Sequence, residues 1–193
     1  FNVLKIKKGD KVAIMLPNLL TFPISFFGSI NIGATVVNVN PLFKSREVKI
    51  LLTDSNVETI VILDKFLHEL ESVLGETKIK NVIVCRPFDL LNIPMNLIVR
   101  TLLFFKTKSH KINSNYILFS DIVRSKEKNP SVSLSGNDIA LLQYTGGTTG
   151  KSKAAILTHS NLVSNVEQLQ LWVDNILSEG QETCLLYTSP SPR

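Results

Sequence analysis

The feature that most constrains the fold is a short segment, rich in glycine, threonine and lysine, that separates two apolar runs. Residues 145–153 read Thr-Gly-Gly-Thr-Thr-Gly-Lys-Ser-Lys. Glycine lets a backbone approach a phosphate closely, and successive amide N–H groups can then form an anion-binding concavity. Hydroxyl and ammonium groups add further donors. The segment therefore predicts a loop that cradles a triphosphate, and a nucleotide-using enzyme is the leading hypothesis.

One alternative for this segment is the Walker A loop, whose pattern is G-x-x-x-x-G-K-[ST]. Residues 150–152 supply the second half of that pattern, but its first glycine would fall at Thr145. A Walker A loop also leads directly from a strand into a helix, whose N-terminus binds the phosphates. A helix beginning at Ala154 would therefore favour a P-loop NTPase.

The residues on either side of the segment favour a different arrangement. Residues 139–144 and 154–158 are both short, apolar runs that are typical of strands. A helix is predicted to begin only near His159 or Ser160. The sequence therefore predicts a strand, the loop and a second strand, so that no helix dipole is available where the loop ends.

This strand–loop–strand pattern resembles the adenylate-forming (AMP-binding) superfamily. Residues 142–153 satisfy every position of its phosphate-loop signature, and residues 9–18 and 33–43 are similar to its early strands and turns. The Gly146-Gly147 pair, together with residues 157–161, looks most like the bacterial long-chain fatty acid–CoA ligases. The resemblance implies an α/β fold, the incomplete N-terminal part of an acyl-CoA synthetase-like adenylation domain.

The resemblance also implies an activity and a set of binding residues. The intact protein is expected to use ATP, Mg²⁺ and CoA to activate a long-chain fatty acid, first to an acyl-adenylate and then to acyl-CoA. No catalytic residue is expected in this chain, because the family's catalytic lysine and its glutamate ligand for Mg²⁺ belong to later motifs, so the chain alone should be inactive. The residues expected to bind the β- and γ-phosphates are Thr145, Gly146, Gly147, Thr148, Thr149, Gly150 and Lys153.

One residue departs from the family pattern. The family usually has glycine directly after the loop lysine, and this chain has Ala154. In a strand the extra methyl group could be neutral, whereas beside a bound phosphate it could crowd the ligand. A third hypothesis is a non-catalytic nucleotide-binding or interaction protein, which the absence of the later motifs from the gene would favour.

The last ten residues differ in character from the rest. Residues 184–193 read Cys-Leu-Leu-Tyr-Thr-Ser-Pro-Ser-Pro-Arg, and one possible back-translation of this string looks like a transposase-type sequencing adapter. We expect residues 1–183 to be part of an adenylation domain and residues 184–193 to be read-through of library DNA, which is left out of fold prediction.

Composition narrows the class of protein. Apolar residues make up 44% of the chain and charged residues 19%, which suits a globular α/β protein. The formal net charge of +5 comes from scattered lysines, so no nucleic-acid partner is predicted. Outside the suspect tail Cys85 is the lone cysteine, which suits a reducing cytoplasm. The sequence does not indicate whether the protein is a monomer or an oligomer.

Strand-like and helix-like stretches alternate along the first half of the chain. This alternation predicts βαβ units and a mainly parallel sheet with flanking helices. Asn113–Asn115 should form a turn. The strands are predicted at 11–16, 34–39, 58–63 and 81–85, and the helices at 20–32, 45–53 with Ser45 as N-cap, 65–74 with Asp64 as N-cap, 121–128 and 162–176.

A further apolar stretch, residues 97–105, is too short to span a bilayer. We interpret it as a helix packed on the sheet. The alternative is peripheral contact with a membrane surface, since basic residues follow it and the substrate is a lipid.

The remaining polar and aromatic candidates have simpler interpretations. His159 is interpreted as a capping or packing residue at the start of a helix, with a catalytic role as the alternative. Trp172 is predicted to lie in a core or an interface. No Cys/His cluster has zinc-ligand spacing. Four acidic residues are interpreted as helix caps or solvated helix faces, namely Asp54, Asp64, Glu69 and Glu71.

Overall fold

The computed structural model describes residues 4–90, 113–125, 132–145 and 153–173. Their strands form one sheet of seven strands in the order β5-β4-β3-β1-β2-β6-β7. Neighbouring strands are parallel except β6 and β7, which are antiparallel. The elements are β1 (Lys11–Met15), α1 (Thr21–Asn31), β2 (Thr35–Asn38), α2 (Ser45–Ser55), β3 (Thr59–Leu63), α3 (Leu67–Glu71), β4 (Asn81–Cys85), β5 (Ile117–Leu118), α4 (Phe119–Arg124), β6 (Ile139–Thr145), β7 (Lys153–Thr158) and α5 (His159–Val173).

The central strands are buried on both faces, which explains their continuous apolar sequences. Alternate residues of β1 enter two separate cores, because successive side chains of a strand point to opposite faces. Ala13 and Met15 pack in the core that α2 and α3 cover. Val12 and Ile14 pack in the core that α1 and α4 cover, where Phe119 is also buried. The result is the predicted α/β arrangement, a mainly parallel sheet with helices on both faces.

The strand order creates a switch point in the middle of the sheet. β1 lies between β2 and β3, so the chain passes from one side of β1 to the other after β2. In such sheets the helices on either side of the switch diverge, and a crevice opens at the carboxyl ends of the strands. This edge is also where β6 ends and the predicted phosphate loop begins.

The four early strands are confirmed within one or two residues, as is helix α1. Gly33 ends α1 as predicted, with φ +75° and its N–H donated to the carbonyl oxygen of Ile30 at 3.0 Å. The predicted turn after residue 113 is also present, and the N–H of Asn115 donates to Oδ1 of Asn113.

The predicted cap of α2 is wrong. Lys44 is the N-cap and Ser45 is the first helical residue. The Ser45 hydroxyl instead donates to Oε2 of Glu69 at 2.6 Å, and the N–H of Ser45 donates to the same oxygen at 2.8 Å. Glu47 stabilises the helix start, since its carboxylate accepts the N–H of Lys44 at 2.9 Å. Glu69 is therefore no solvated surface residue; it is 8% exposed and joins α3 to α2.

The single helix predicted over 65–74 is also wrong in part. The chain forms a 3₁₀ turn at Asp64–Phe66, the short helix α3, and a second 3₁₀ turn at Leu74–Glu76 that contains Gly75. The buried side chains Leu67, Leu70 and Val73 recur every three residues, and packing them on the sheet overrides the helical propensity of the segment.

Several predictions fall outside the described residues. These are the helix at 97–105, the centre of the loop at 146–152, the end of the helix at 162–176 and the tail at 184–193. The helix predicted at 121–128 is wrong at its end, because α4 stops at Arg124 and Ser125 is its extended C-cap. Within the described ranges no helix has both the length and the apolar character needed to cross a membrane.

Candidate functional site

The two strands that enclose the predicted loop form an antiparallel pair. The register aligns Thr145 with Lys153, Tyr144 with Ala154 and Gln143 with Ala155. Oγ1 of Thr145 donates to the carbonyl oxygen of Lys153 at 3.4 Å. The strand–loop–strand prediction is therefore confirmed, and the two ends of the loop are neighbours.

This geometry contradicts the Walker A alternative. Lys153–Thr158 is a strand, and helix α5 begins only at His159. At about 3.4 Å per residue, the N-terminus of α5 lies about 20 Å along the strand from Lys153. The partial positive charge of a helix N-terminus acts within the first turn, so α5 cannot contribute to anion binding at the loop.

The structure brings together the two outer members of the predicted phosphate-binding set. Thr145 and Lys153 are both exposed at the carboxyl end of β6, where a ligand has access to them. The inner members lie outside the described residues, so their contacts stay predictions; these are Gly146, Gly147, Thr148, Thr149 and Gly150.

A crevice opens beside the loop ends, at the switch point of the sheet. Its volume is about 580 Å³, within the range of small-molecule sites. The carboxyl ends of β1, β2 and β6 form its walls, and many of its polar groups are side-chain amides. Asn38 and Gln143 bridge two of these strands, with Nδ2 of Asn38 donating to Oε1 of Gln143 at 3.0 Å. The lining includes Leu16, Asn18, Phe22, Asn38, Gln143 and Tyr144.

Tyr144 was not identified from the sequence as a functional residue, although it directly precedes the loop. Its hydroxyl donates to Oδ2 of Asp54 at 2.6 Å, across 90 residues of sequence. Burial of the ring, followed by the hydrogen bond to Asp54 and its negative charge, raises the pKa of Tyr144 above its usual value. The phenol is therefore a permanent donor at neutral pH. Asp54 is thus a partner of β6, and not only part of a solvated helix face.

His159 lies at the opposite end of β7 from the loop. Its N–H donates to the carbonyl oxygen of Asp138 at 3.0 Å. Its Nε2 is buried and has no hydrogen-bond partner among the described residues. The ring borders an open, mostly apolar cavity of about 410 Å³ that Phe27 and Leu134 also line. This position supports the packing interpretation and separates His159 from the phosphate loop.

Two other candidates do not join the site. Trp172 is 72% exposed on α5, so it is not a core residue within the described part of the chain. No group of three or more His, Cys, Asp or Glu side chains that could hold a metal ion occurs in residues 4–90, 113–125, 132–145 and 153–173. Cys85 is fully buried, and burial raises the pKa of its thiol far above the usual range.

Comparison with known proteins agrees with this geometry. A family model described as AMP-binding enzyme matches residues 2–191. The long-chain-fatty-acid–CoA ligase of Escherichia coli O6:H1 is 40% identical over 185 residues, which cover 93% of this chain and 33% of that protein. The enzyme of the same name from Haemophilus influenzae is 38% identical over 187 residues, covering 94% of this chain and 33% of that protein.

A solved structure shares the fold. The crystal structure of a long-chain-fatty-acid–CoA ligase from Archaeoglobus fulgidus aligns with a TM-score of 0.66 and 27% identity, covering 88% of this chain and 29% of that one. The chain therefore spans about a third of the length of the curated relatives it matches.

Proposed function

Because the chain belongs to the AMP-binding enzyme family, we propose that the intact protein is an acid–thiol ligase that activates a long-chain fatty acid. In the first step the carboxylate oxygen attacks the α-phosphorus of ATP, and the bond to pyrophosphate breaks. In the second step the thiol of CoA attacks the acyl carbonyl carbon, and AMP leaves. Fatty acid, ATP and CoA are thus the proposed partners.

The loop at 145–153 would bind the β- and γ-phosphates in the first step. Phosphoryl transfer needs charge stabilisation and positioning more than covalent help from the protein. The proposed donors are the amides of Gly146, Gly147 and Gly150 and the hydroxyls of Thr145, Thr148 and Thr149.

Lys153 has a separate proposed role. Lys153 is the first residue after the undescribed part of the loop, and it pairs with Thr145 in the register of the two strands. It would offset the negative charge that develops as pyrophosphate leaves. Lys151 is the second candidate for this role.

The observation that carries the proposal is the antiparallel pairing of β6 with β7. This pairing supports a phosphate loop that joins two strands. A P-loop NTPase needs a helix directly after its phosphate loop, and this chain has strand β7 there. The similarity to long-chain-fatty-acid–CoA ligases supports the substrate class.

Mg²⁺ is expected to accompany ATP in this reaction. The described residues contain no cluster of three or more His, Cys, Asp or Glu side chains for it, and we assign it no residue of this chain. We propose a cytoplasmic location, with peripheral contact to membranes as a source of lipid substrate.

The test is fatty-acid-dependent exchange of labelled pyrophosphate into ATP by the intact protein. Exchange that requires a long-chain fatty acid and proceeds without CoA supports the proposal, because the acyl-adenylate forms before CoA reacts. ATP hydrolysis that is independent of fatty acid would instead support an NTPase. Binding of ATP without either reaction would support the non-catalytic alternative.

A further inference from the structure

The end of β6 is held less firmly than the rest of the strand. β6 pairs with β2 at Leu141, Leu142 and Gln143, and β2 ends opposite Gln143. Beyond this rung, the only described strand that pairs with Tyr144 and Thr145 is β7. In the described part of the chain β7 is itself an edge strand. The last two residues of β6 therefore need another attachment if the loop is to begin at a fixed place.

The hydrogen bond from Tyr144 to Asp54 supplies this attachment. Asp54 lies in the last turn of α2. That helix is anchored firmly, because Val48, Leu51 and Leu52 are buried in the core. The bond therefore connects the residue before Thr145 to a helix that is packed into the core.

We propose that Tyr144 and Asp54 form a positioning pair, which holds the first residue of the phosphate loop in register and thereby sets the affinity for the nucleotide triphosphate. The link to the nucleotide rests on the function proposed above. Neither residue is a catalytic residue, since the Tyr144 hydroxyl is occupied by Asp54 and acts on the ligand only through Thr145.

The size of the effect follows from the chemistry of the pair. A hydrogen bond from a neutral donor to a charged acceptor contributes more than a neutral pair. Loss of one such bond that is coupled to binding corresponds to a change of about tenfold in affinity. The same loss would leave the chemical step nearly unchanged once ATP is bound.

The chain contains a matched control for this bond. The hydroxyl of Tyr116 donates to Oε1 of Glu71 at 3.2 Å, and its ring packs against the same core as that of Tyr144. Tyr116 immediately precedes β5, and four strands separate β5 from β6 in the sheet. Tyr116→Phe therefore removes the same kind of hydrogen bond far from the loop.

The experiment compares Tyr144→Phe, Asp54→Ala and Tyr116→Phe in the intact protein. We expect the first two to raise the KM for ATP in pyrophosphate exchange about tenfold with kcat changed less than about twofold. The double variant of Tyr144 and Asp54 should be no worse than either single variant, since the two residues act as one unit. Tyr116→Phe should leave the KM for ATP unchanged.

A second readout separates this inference from the proposed function. Hydrogen exchange at the amides of Thr145, Lys153 and Ala154, measured without substrate, should be faster in Tyr144→Phe than in Tyr116→Phe. If hydrogen exchange is faster in Tyr144→Phe than in Tyr116→Phe but the wild type has no enzymatic activity, the positioning pair is retained and the proposed ligase function is rejected. Equal hydrogen exchange in the two variants, or an equal KM for ATP in an active enzyme, would overturn the positioning pair.

Discussion

Thr145 and Lys153 occupy opposite positions in the last rung between β6 and β7, with Oγ1 of Thr145 3.4 Å from the carbonyl oxygen of Lys153. The loop at 146–152 therefore begins and ends on strands that run about 5 Å apart. Lys153, the first residue after that segment, is therefore a backbone neighbour of Thr145 at the entrance to the loop.

Ala154 pairs with Tyr144 as an ordinary strand residue, at the position where the resemblance to the adenylate-forming superfamily led us to expect glycine. We predict that Ala154→Gly lowers the free energy of unfolding by about 0.5–1 kcal/mol, because glycine loses more backbone entropy in a strand. The KM for ATP should stay unchanged, since the methyl group belongs to the strand. Ala155→Gly in the same strand is the control, and it should lower the free energy of unfolding by a similar amount. A KM for ATP that falls several-fold in Ala154→Gly alone would mean that the methyl group crowds the ligand.

Glu69 connects α3 to the first turn of α2. Hydrogen bonds from Ser45 and Lys44 lower the pKa of its carboxyl group from 4.5 to about 2. A carboxylate whose pKa is lower in the folded state stabilises the fold above its unfolded pKa, and this contribution is lost as the pH falls towards the folded value. We predict that Glu69→Gln destabilises the protein at neutral pH, and that the difference from the wild type narrows between pH 4.5 and about 2.

Urea unfolding at a series of pH values checks this prediction. Glu58→Gln is the control, because the Glu58 carboxylate lies half-exposed beside Lys80 at 2.8 Å. Glu58→Gln should change the free energy of unfolding only slightly at every pH, because surface ion pairs contribute little to stability. A constant difference between Glu69→Gln and the wild type across the acid range would contradict the account.

Gly33 ends α1 with φ +75°, and a Cβ atom there would lie 2.8 Å from Cγ of Lys8 and 3.1 Å from Cδ2 of Leu134. We predict that Gly33→Ala lowers the free energy of unfolding by more than the conformational cost of about 1–2 kcal/mol. Gly9→Ala isolates that cost, since Gly9 has φ +86° with no atom within 4 Å. Gly75→Ala, where the space is open and φ is ordinary, should be neutral. Thermal unfolding of the three variants should rank them in this order, and equal losses at Gly33 and Gly9 would show that Lys8 and Leu134 yield without cost.

Much of the sheet could be predicted because its strands are buried on both faces. Such strands appear in the sequence as continuous apolar runs between turn residues, as in Asn81–Cys85. The two-residue strand Ile117–Leu118 could not be found in this way, since its pairing with β4 is a property of the folded sheet. The order of the strands was also beyond the sequence pattern, because periodicity carries no information on which strands are neighbours.

The loop could be predicted from local sequence, whereas the long-range hydrogen bonds that hold the neighbouring elements in place could not. The runs on either side of residues 145–153 indicated two strands, and the antiparallel pair confirms them. Tyr144 and Asp54 are 90 residues apart, and no local pattern connects a tyrosine in a strand to a carboxylate in a distant helix. The contact between Glu69 and Ser45 could not be predicted either, because the local sequence around each residue indicated only a helix cap or a solvated helix face.

We propose that the loop between β6 and β7 binds the triphosphate of ATP with the help of Lys153. The most direct test is Lys153→Ala in the intact protein, measured by fatty-acid-dependent pyrophosphate exchange. Removing one charge-stabilising donor from a phosphoryl-transfer site should reduce the rate about 10²-fold. Lys80→Ala, which removes a lysine from a surface ion pair with Glu58, should leave the rate unchanged. An exchange rate in Lys153→Ala equal to that of Lys80→Ala would contradict the account.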